Sequence, residues 1–510
     1  MNNIKKLLNE EAERVNNFSS KINIGTEFLL YDFSRTHLES KKLNEYIKIF
    51  EKKRDEFRRM ENKEAINFTE LRKVLHITCR SKKIFKKIRG DKLDLDPEEL
   101  IVYYEMERYK RFCLDFNNEM RGVSGKKFDT IVNIGIGGSE LGTKMICKAL
   151  HHYRDKNKKI YFISNIDPTD VKLVMDQIDI ERTLFIVVSK TWSTDETLSN
   201  FEFVKTLALE KLSGKEDDFL ERHFVAVTSE VERAKECGFE NIFNIWTFIG
   251  GRFCVWSASG LAAMLYLGFN TFFEMLMGAS VMDDHFFNAE TKKNIPILQA
   301  IVEIYYNNEL GYNNKCIVPY DSNLSEFVRY EQQVELESNG KSQTTTGITN
   351  KNTAMVIWGD IGSNAQHSFF QGLHQGTIKT LCEFICGLSP LEHDENSIKH
   401  HKKLFSNFIG QSIALVEGKH SDISHKTFPG NKPVINIVYS KLTPGILGAL
   451  MSAYEHKIFV QGKYWDINSF DQFGVDLGKT LSKKIYKNMD KEMELDASTQ
   501  QLINYYKKNL

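Results

Sequence analysis

Four short apolar runs do most to limit how this chain can fold. They are residues 129–134 (DTIVNI), 159–164 (KIYFIS), 183–188 (TLFIVV) and 224–228 (FVAVT). Each is shorter than an ordinary helix, and each is apolar at nearly every position rather than at alternate ones. Helical patterns separate them, for example at 170–178 and 196–212. Continuously apolar strands alternating with helices predict a parallel sheet covered on both faces. The cycle restarts after residue 280. Residues 295–308 read as a helix, 316–318 as a strand and 324–336 as a helix, and 355–358 and 434–438 supply further strands. Ahead of the first run, charged segments such as LNEYIKIFEKKRDEFRRM place apolar residues at threes and fours. The expectation is an α/β protein. A helical region at 1–95 precedes two α/β domains at 96–280 and 281–490, and 491–510 forms a helix or tail.

Composition narrows the class. The 510 residues carry 68 basic and 68 acidic side chains, so no basic excess points to nucleic acid. With 41% hydrophobic and 27% charged residues the chain suits a packed core and is too apolar for disorder. The opening stretch MNNIKKLLNEEAERVNN has acidic residues and no apolar core before a cleavage site, so the expected location is the cytoplasm. Residues 253–273 lack charge over a span long enough for a bilayer, but Ser257, Ser259, Gly260, Asn270 and Thr271 interrupt it. A buried core helix, and no membrane partner, is expected there. Of the eight cysteines only Cys382 and Cys386 are close, at helical spacing. No second Cys/His pair completes a zinc site, so reduced thiols, no metal and no cofactor are expected.

Six clusters carry candidate chemistry. Gly135-Ile-Gly-Gly-Ser-Glu-Leu-Gly142 follows the first strand and opens a helix. Glycines there let backbone N–H groups approach an anion, although a plain tight turn would look the same. Ser189-Lys-Thr-Trp-Ser-Thr-Asp-Glu-Thr197 follows the third strand, at the carboxyl end of the sheet, where open α/β proteins bind ligands. Helix capping would explain one of its hydroxyls; a phosphate cradle explains several. Gly250-Gly-Arg-Phe-Cys-Val-Trp-Ser257 places Arg252 before an apolar stretch, as an anion stabiliser or one half of a salt bridge. In Tyr330–Lys341, Glu331, Glu335 and Glu337 suit a solvated helix face, but Glu337 stands at the helix end, where a carboxylate meets the dipole unfavourably. That makes it a candidate base. Gln366–Thr377 holds two histidines seven apart, which matches no common metal spacing. Trp465–Lys479 alone reads as a turn and a helix. These residues alone indicate a two-domain α/β enzyme acting on a phosphorylated metabolite.

With its six clusters in this order, the chain resembles the glucose-6-phosphate isomerase (phosphoglucose isomerase) family. The resemblance begins at Asn67-Phe-Thr-Glu-Leu-Arg-Lys-Val-Leu-His76 and runs to Lys479. Departures are mild: Glu140 for Asp, Thr143 for Pro, Trp192 for Phe, Leu336 for Met, Phe253 for Tyr, Cys254 for Ser, Phe473 for Trp, and Gly372 for a larger apolar residue. The resemblance implies two sugar-isomerase (SIS) domains, a metal-free homodimer, and isomerisation of glucose 6-phosphate to fructose 6-phosphate in glycolysis and gluconeogenesis. It implies that Gly138 and Ser139 line the sugar-phosphate site. It assigns the phosphate to Ser189, Lys190, Thr191 and Thr194, and substrate contacts to Gln333 and Gln472. Glu337 is then the base, Arg252 stabilises the enediolate, and His374 and Lys479 open the ring. The segment around His374 is expected to come from the partner subunit. A non-catalytic sugar-phosphate sensor would be expected to lose the base. An isomerase of wider specificity would lack most of these long motifs.

Overall fold

The computed structural model describes residues 3–212, 218–489, 491 and 495–510. Among them two sheets form the frame. The hairpin of β1 (Ser19–Ile24) and β2 (Glu27–Asp32) comes first in the chain. Next come β3 (Thr130–Ile134), β4 (Lys159–Ile163), β5 (Thr183–Val188), β6 (Phe224–Thr228) and β7 (Ile242–Asn244). These five strands are parallel, in the order β4-β3-β5-β6-β7. Every residue of β3, β5 and β6 is buried, which is why these runs are apolar without alternation. The second half supplies β8 (Asn314–Pro319), β9 (Val356–Trp358), β10 (Thr380–Gly387) and β11 (Val434–Tyr439). With the hairpin they form a six-stranded sheet in the order β1-β2-β11-β10-β8-β9, parallel except at β1 and β2.

The helices used below are α1 (Leu141–Ala149), α2 (Asp195–Leu212), α3 (Phe269–Asn288), α4 (Phe327–Asn339), α5 (Glu395–Glu417), α6 (Pro444–Trp465) and α7 (Asp476–Asn488). Helix α6 is buried almost throughout and crosses α3 in backbone contact. A Cβ on Gly448 would lie 1.9 Å from the Met275 carbonyl oxygen, so only glycine permits that approach. The chain forms two compact units, Met1–Ser469 and Phe470–Leu510. The first holds both sheets. The second holds a turn at Phe473–Val475, α7, and the helix Ala497–Lys508.

The parallel-sheet expectation is borne out, and four details are corrected. Residues 1–95 are not helical throughout, because β1 and β2 lie in them and β2 pairs with β11. Their charged residues mask a two-residue alternation. Residues 253–273 are buried except at 268–271 and do not form one helix: they are 3₁₀ turns followed by Leu261–Leu267 and the start of α3, broken at Gly268. Cys382 and Cys386 lie in the buried strand β10, not on a helix. Glu383 interrupts the apolar run of that strand in the sequence; in the core Lys315 Nζ, 3.5 Å away, opposes its charge and the Tyr454 hydroxyl donates to it. All eight cysteines are free thiols.

Candidate active site

The site is built where β3 and β5 end side by side. After β3 the chain enters Gly135–Ser139 and then α1. Gly138 backs directly onto the Arg252 loop: a Cβ there would meet the Gly251 carbonyl oxygen at 2.1 Å. Gly137 faces Gln333 on α4, whose Nε2 would lie 3.0 Å from a Cβ at that position. Two sequence-predicted substrate contacts, Gly138 and Gln333, thus lie around one loop.

After β5, the Ser189 N–H still donates to the Val227 oxygen at 3.0 Å, and the chain then turns toward α2. Ser189 Oγ lies 3.4 Å from Thr194 Oγ1, and Ser193 donates to Thr191 Oγ1 at 2.9 Å. Among the described residues nothing accepts from the backbone N–H groups of Lys190 or Thr191. Hydroxyls and free amides before a helix start make an anion cradle. The Lys190 side chain takes another course. Its Nζ donates to the Ile249 oxygen at 2.5 Å and lies 3.4 Å from the Thr247 oxygen. Burial, with Arg72 close by, pushes its pKa down to about 8.

Arg252 is buried, and hydrogen bonds fix its guanidinium. Nε donates to Ser338 Oγ at 2.5 Å and Nη2 to the Ser469 oxygen at 2.5 Å. Nη1 lies 3.9 Å from Glu337 Oε2. Ser469 is held in turn, since its hydroxyl donates to Asn339 Oδ1 at 2.7 Å, and Asn339 Nδ2 donates to the Ile458 oxygen on α6. Ser338, Asn339 and Ser469 had no role in the sequence reading, although all three lie inside its motifs.

Helix α4 separates its three glutamates, correcting the solvated-face reading. Glu331 and Glu335 are one turn apart and buried. Glu335 meets Lys457 Nζ at 2.7 Å, and Lys457 and Lys315 share Glu303 at 3.2 and 2.7 Å. Among the described residues Glu331 has no hydrogen-bond partner on either oxygen, and burial holds its pKa well above the usual carboxylate range. Glu337, two positions beyond Glu335, projects on the other side, with its side chain 25% exposed beside Arg252. A partly exposed carboxylate beside a fixed guanidinium suits proton removal next to a carbonyl, the cation receiving the developing oxyanion charge.

The remaining predicted residues are His374, Gln472 and Lys479. His374 is on the helix Phe370–Gln375; its Nε2 is 2.7 Å from Gln411 Oε1 on α5, and its ring packs against Phe370 and Phe428. Burial lowers its pKa. Gln472 and Lys479 belong to the second unit, Lys479 on α7. Among the described residues, no three His, Cys, Asp or Glu side chains cluster as a metal would need. No helix there is long and apolar enough to cross a membrane.

Residues 32–503 match the phosphoglucose isomerase family. The chain belongs to that family. A glucose-6-phosphate isomerase of Buchnera aphidicola subsp. Cinara cedri is 40% identical over 505 residues, covering 94% of this chain and 91% of the relative. One from Wigglesworthia glossinidia brevipalpis is 37% identical, covering 99% and 95%. The crystal structure of a glucose-6-phosphate isomerase from Chlamydia trachomatis superimposes with a TM-score of 0.84 at 33% identity, over 97% of this chain and 94% of that one. Phosphoglucose isomerases interconvert glucose 6-phosphate and fructose 6-phosphate in glycolysis and gluconeogenesis, so the expected aldose–ketose isomerase activity stands.

Proposed function

We propose that this chain isomerises glucose 6-phosphate by ring opening followed by proton transfer between C1 and C2, with Glu337 as the base. The observation that carries this reading is Glu337 facing a buried Arg252 that Ser338 and the Ser469 carbonyl hold in place. Glu337 takes the C2 proton, Arg252 stabilises the enediolate oxygen, and Glu337 returns the proton to C1. Ser189, Thr191, Thr194 and the Lys190 and Thr191 amides receive the phosphate, whose binding energy orients the reacting carbons. Gly138, Ser139, Gln333 and Gln472 line the sugar, and Lys479 and His374 open the ring.

The working unit is a homodimer in which His374 serves the partner's site. Support comes from His374 itself: among the described residues its hydrogen bond and ring contacts go to Gln411, Phe370 and Phe428, and none to Glu337 or Arg252. We place the enzyme in the cytoplasm, with no nucleic-acid or membrane partner and no metal requirement. The test supplies glucose 6-phosphate in deuterated water with excess chelator. Fructose 6-phosphate should form and carry some solvent deuterium at C1. Product formation by Glu337→Gln at the wild-type rate would remove Glu337 as the proton carrier; no product from the wild type would end the reading.

A further inference from the structure

The lead-in to Arg252, residues 247–249, is held at every carbonyl. The Thr247 oxygen accepts from Arg72 Nη1 at 3.2 Å and lies 3.4 Å from Lys190 Nζ. The Phe248 oxygen accepts from the Leu75 N–H at 2.9 Å. The Ile249 oxygen accepts from Lys190 Nζ at 2.5 Å. Next in the chain are Gly250, Gly251 and Arg252. The donors come from two directions: the anion loop after β5, and the Asn67–His76 motif, which the catalytic roles leave unused. That motif is itself anchored. Glu70 pairs with Arg72, Asn468 Nδ2 donates to Asn67 Oδ1 at 2.8 Å, and His76 stacks on Phe253 with ring centroids 4.9 Å apart.

The Lys190 backbone is equally fixed. Its carbonyl accepts from the Ser229 N–H at 2.9 Å, the Ser229 hydroxyl at 2.6 Å and the Thr228 hydroxyl at 3.1 Å. From that anchored base the side chain spans to the Arg252 loop. An ammonium among carbonyl oxygens is already satisfied and costs hydrogen bonds to remove.

We infer that the side chains of Lys190 and Arg72 are positioning residues for Arg252, clamping the 247–249 backbone, and that the Lys190 ammonium is not a phosphate ligand. The phosphate loop and the loop bearing the oxyanion-stabilising cation are then one part: the anion is received by amides and hydroxyls, and the lysine stem ties that receiver to Arg252. This rests on the isomerase reading for the role of Arg252. The clamp itself is testable by binding alone.

The experiment compares the wild type with Lys190→Met, Arg72→Met and the double variant in the full-length protein. Two probes are titrated by calorimetry: inorganic phosphate, which needs only the anion loop, and arabinonate 5-phosphate, whose carboxylate stands in for the enediolate. Turnover is measured alongside. In each single variant phosphate affinity should stay within about threefold while arabinonate 5-phosphate weakens about tenfold or more. The turnover number should fall about tenfold or more, with KM changing little. The double variant should lose less than the product of the two single losses, because both donors serve the Thr247 carbonyl. A tenfold or greater loss of phosphate affinity in Lys190→Met, with turnover retained, would overturn the inference and make the ammonium a phosphate ligand. Unchanged affinities and turnover would overturn it as well. If Lys190→Met fails to fold, Arg72→Met decides by the same split. An inactive wild type that still shows the split would sink the isomerase reading and leave the clamp standing.

Discussion

Glu331 and Glu337 share one helix and have opposite fates. Glu337 stands partly exposed beside a fixed cation, where an ionised carboxylate can take a proton. Replacing it by Gln keeps the shape and removes the basicity. The turnover number of Glu337→Gln should fall by about 10²–10⁴-fold with KM nearly unchanged, and near-normal turnover would end the assignment. Glu331 is buried without a hydrogen-bond partner among the described residues, and burial raises its pKa. The sign of the pH effect follows. Below the ordinary carboxylate pKa both folded and unfolded chains hold the proton, and nothing is lost. As pH rises from there toward the folded value, the unfolded chain ionises and gains while the folded one does not. Glu331→Gln lacks this penalty. Its urea midpoint should therefore improve relative to wild type between pH 4.5 and pH 8; a constant difference would mean that Glu331 is ionised in the fold. The sequence could not sort these glutamates. A turn of 100° per residue sets Glu337 against Glu335, but which side is buried depends on Lys457, more than a hundred residues away. Arg252 was legible behind its two glycines only as either an anion stabiliser or one half of a salt bridge. That Ser338 and Ser469 hold it was not, because those contacts close over long stretches of chain.

At the level of elements, the site depends on how closely two loops approach. Gly138 has no room for a Cβ against the Gly251 carbonyl. Gly138→Ala should displace the 135–139 loop or the Arg252 loop and cost about 1–3 kcal/mol of stability, and activity should fall further than stability does. Gly410, on α5, has nothing within 4 Å of its would-be Cβ. Gly410→Ala should raise stability by about 0.5–1 kcal/mol through helix propensity and leave activity alone. Thermal melts and assays of the two variants check both; equal effects would refute the close-contact argument. The elements differ in how readable they were. Strands β3, β5 and β6 announce themselves because both faces are covered. Strand β10 hides behind Glu383, whose charge is answered only in three dimensions by Lys315 and Tyr454. Helix α4 was read three residues early at each end, since its apolar face also buries glutamates.

Across the whole molecule, a homodimer sharing its sites makes a sharp prediction. Glu337→Gln and His374→Ala are each expected to be inactive. After subunit exchange, a mixed dimer joins an intact Glu337 in one chain to an intact His374 from the other. Counting sites in randomly exchanged dimers gives a recovery of about a quarter of wild-type activity. No recovery, with exchange shown by native mass spectrometry, would place both residues of each site in one chain. The α/β class was readable from the alternation of strands and helices, but the closing of the second sheet by the chain's own start was not, because pairing partners leave no mark on each other's sequence. That closure bears on synthesis. The Phe28 N–H donates to Ser440 Oγ across a separation of 412 residues, and β2 cannot pair with β11 before both exist. A ribosome adding roughly 5–20 residues per second needs roughly 20–80 s to span that gap. The last strand of the five-stranded sheet is made only about half-way through that interval, whereas the β1–β2 hairpin emerges ahead of that sheet with Leu29 and Tyr31, buried in the finished fold, still uncovered. Throughout that wait the nascent chain exposes an open strand edge, and this hairpin is where chaperones, or neighbouring nascent chains on the same message, would first engage it.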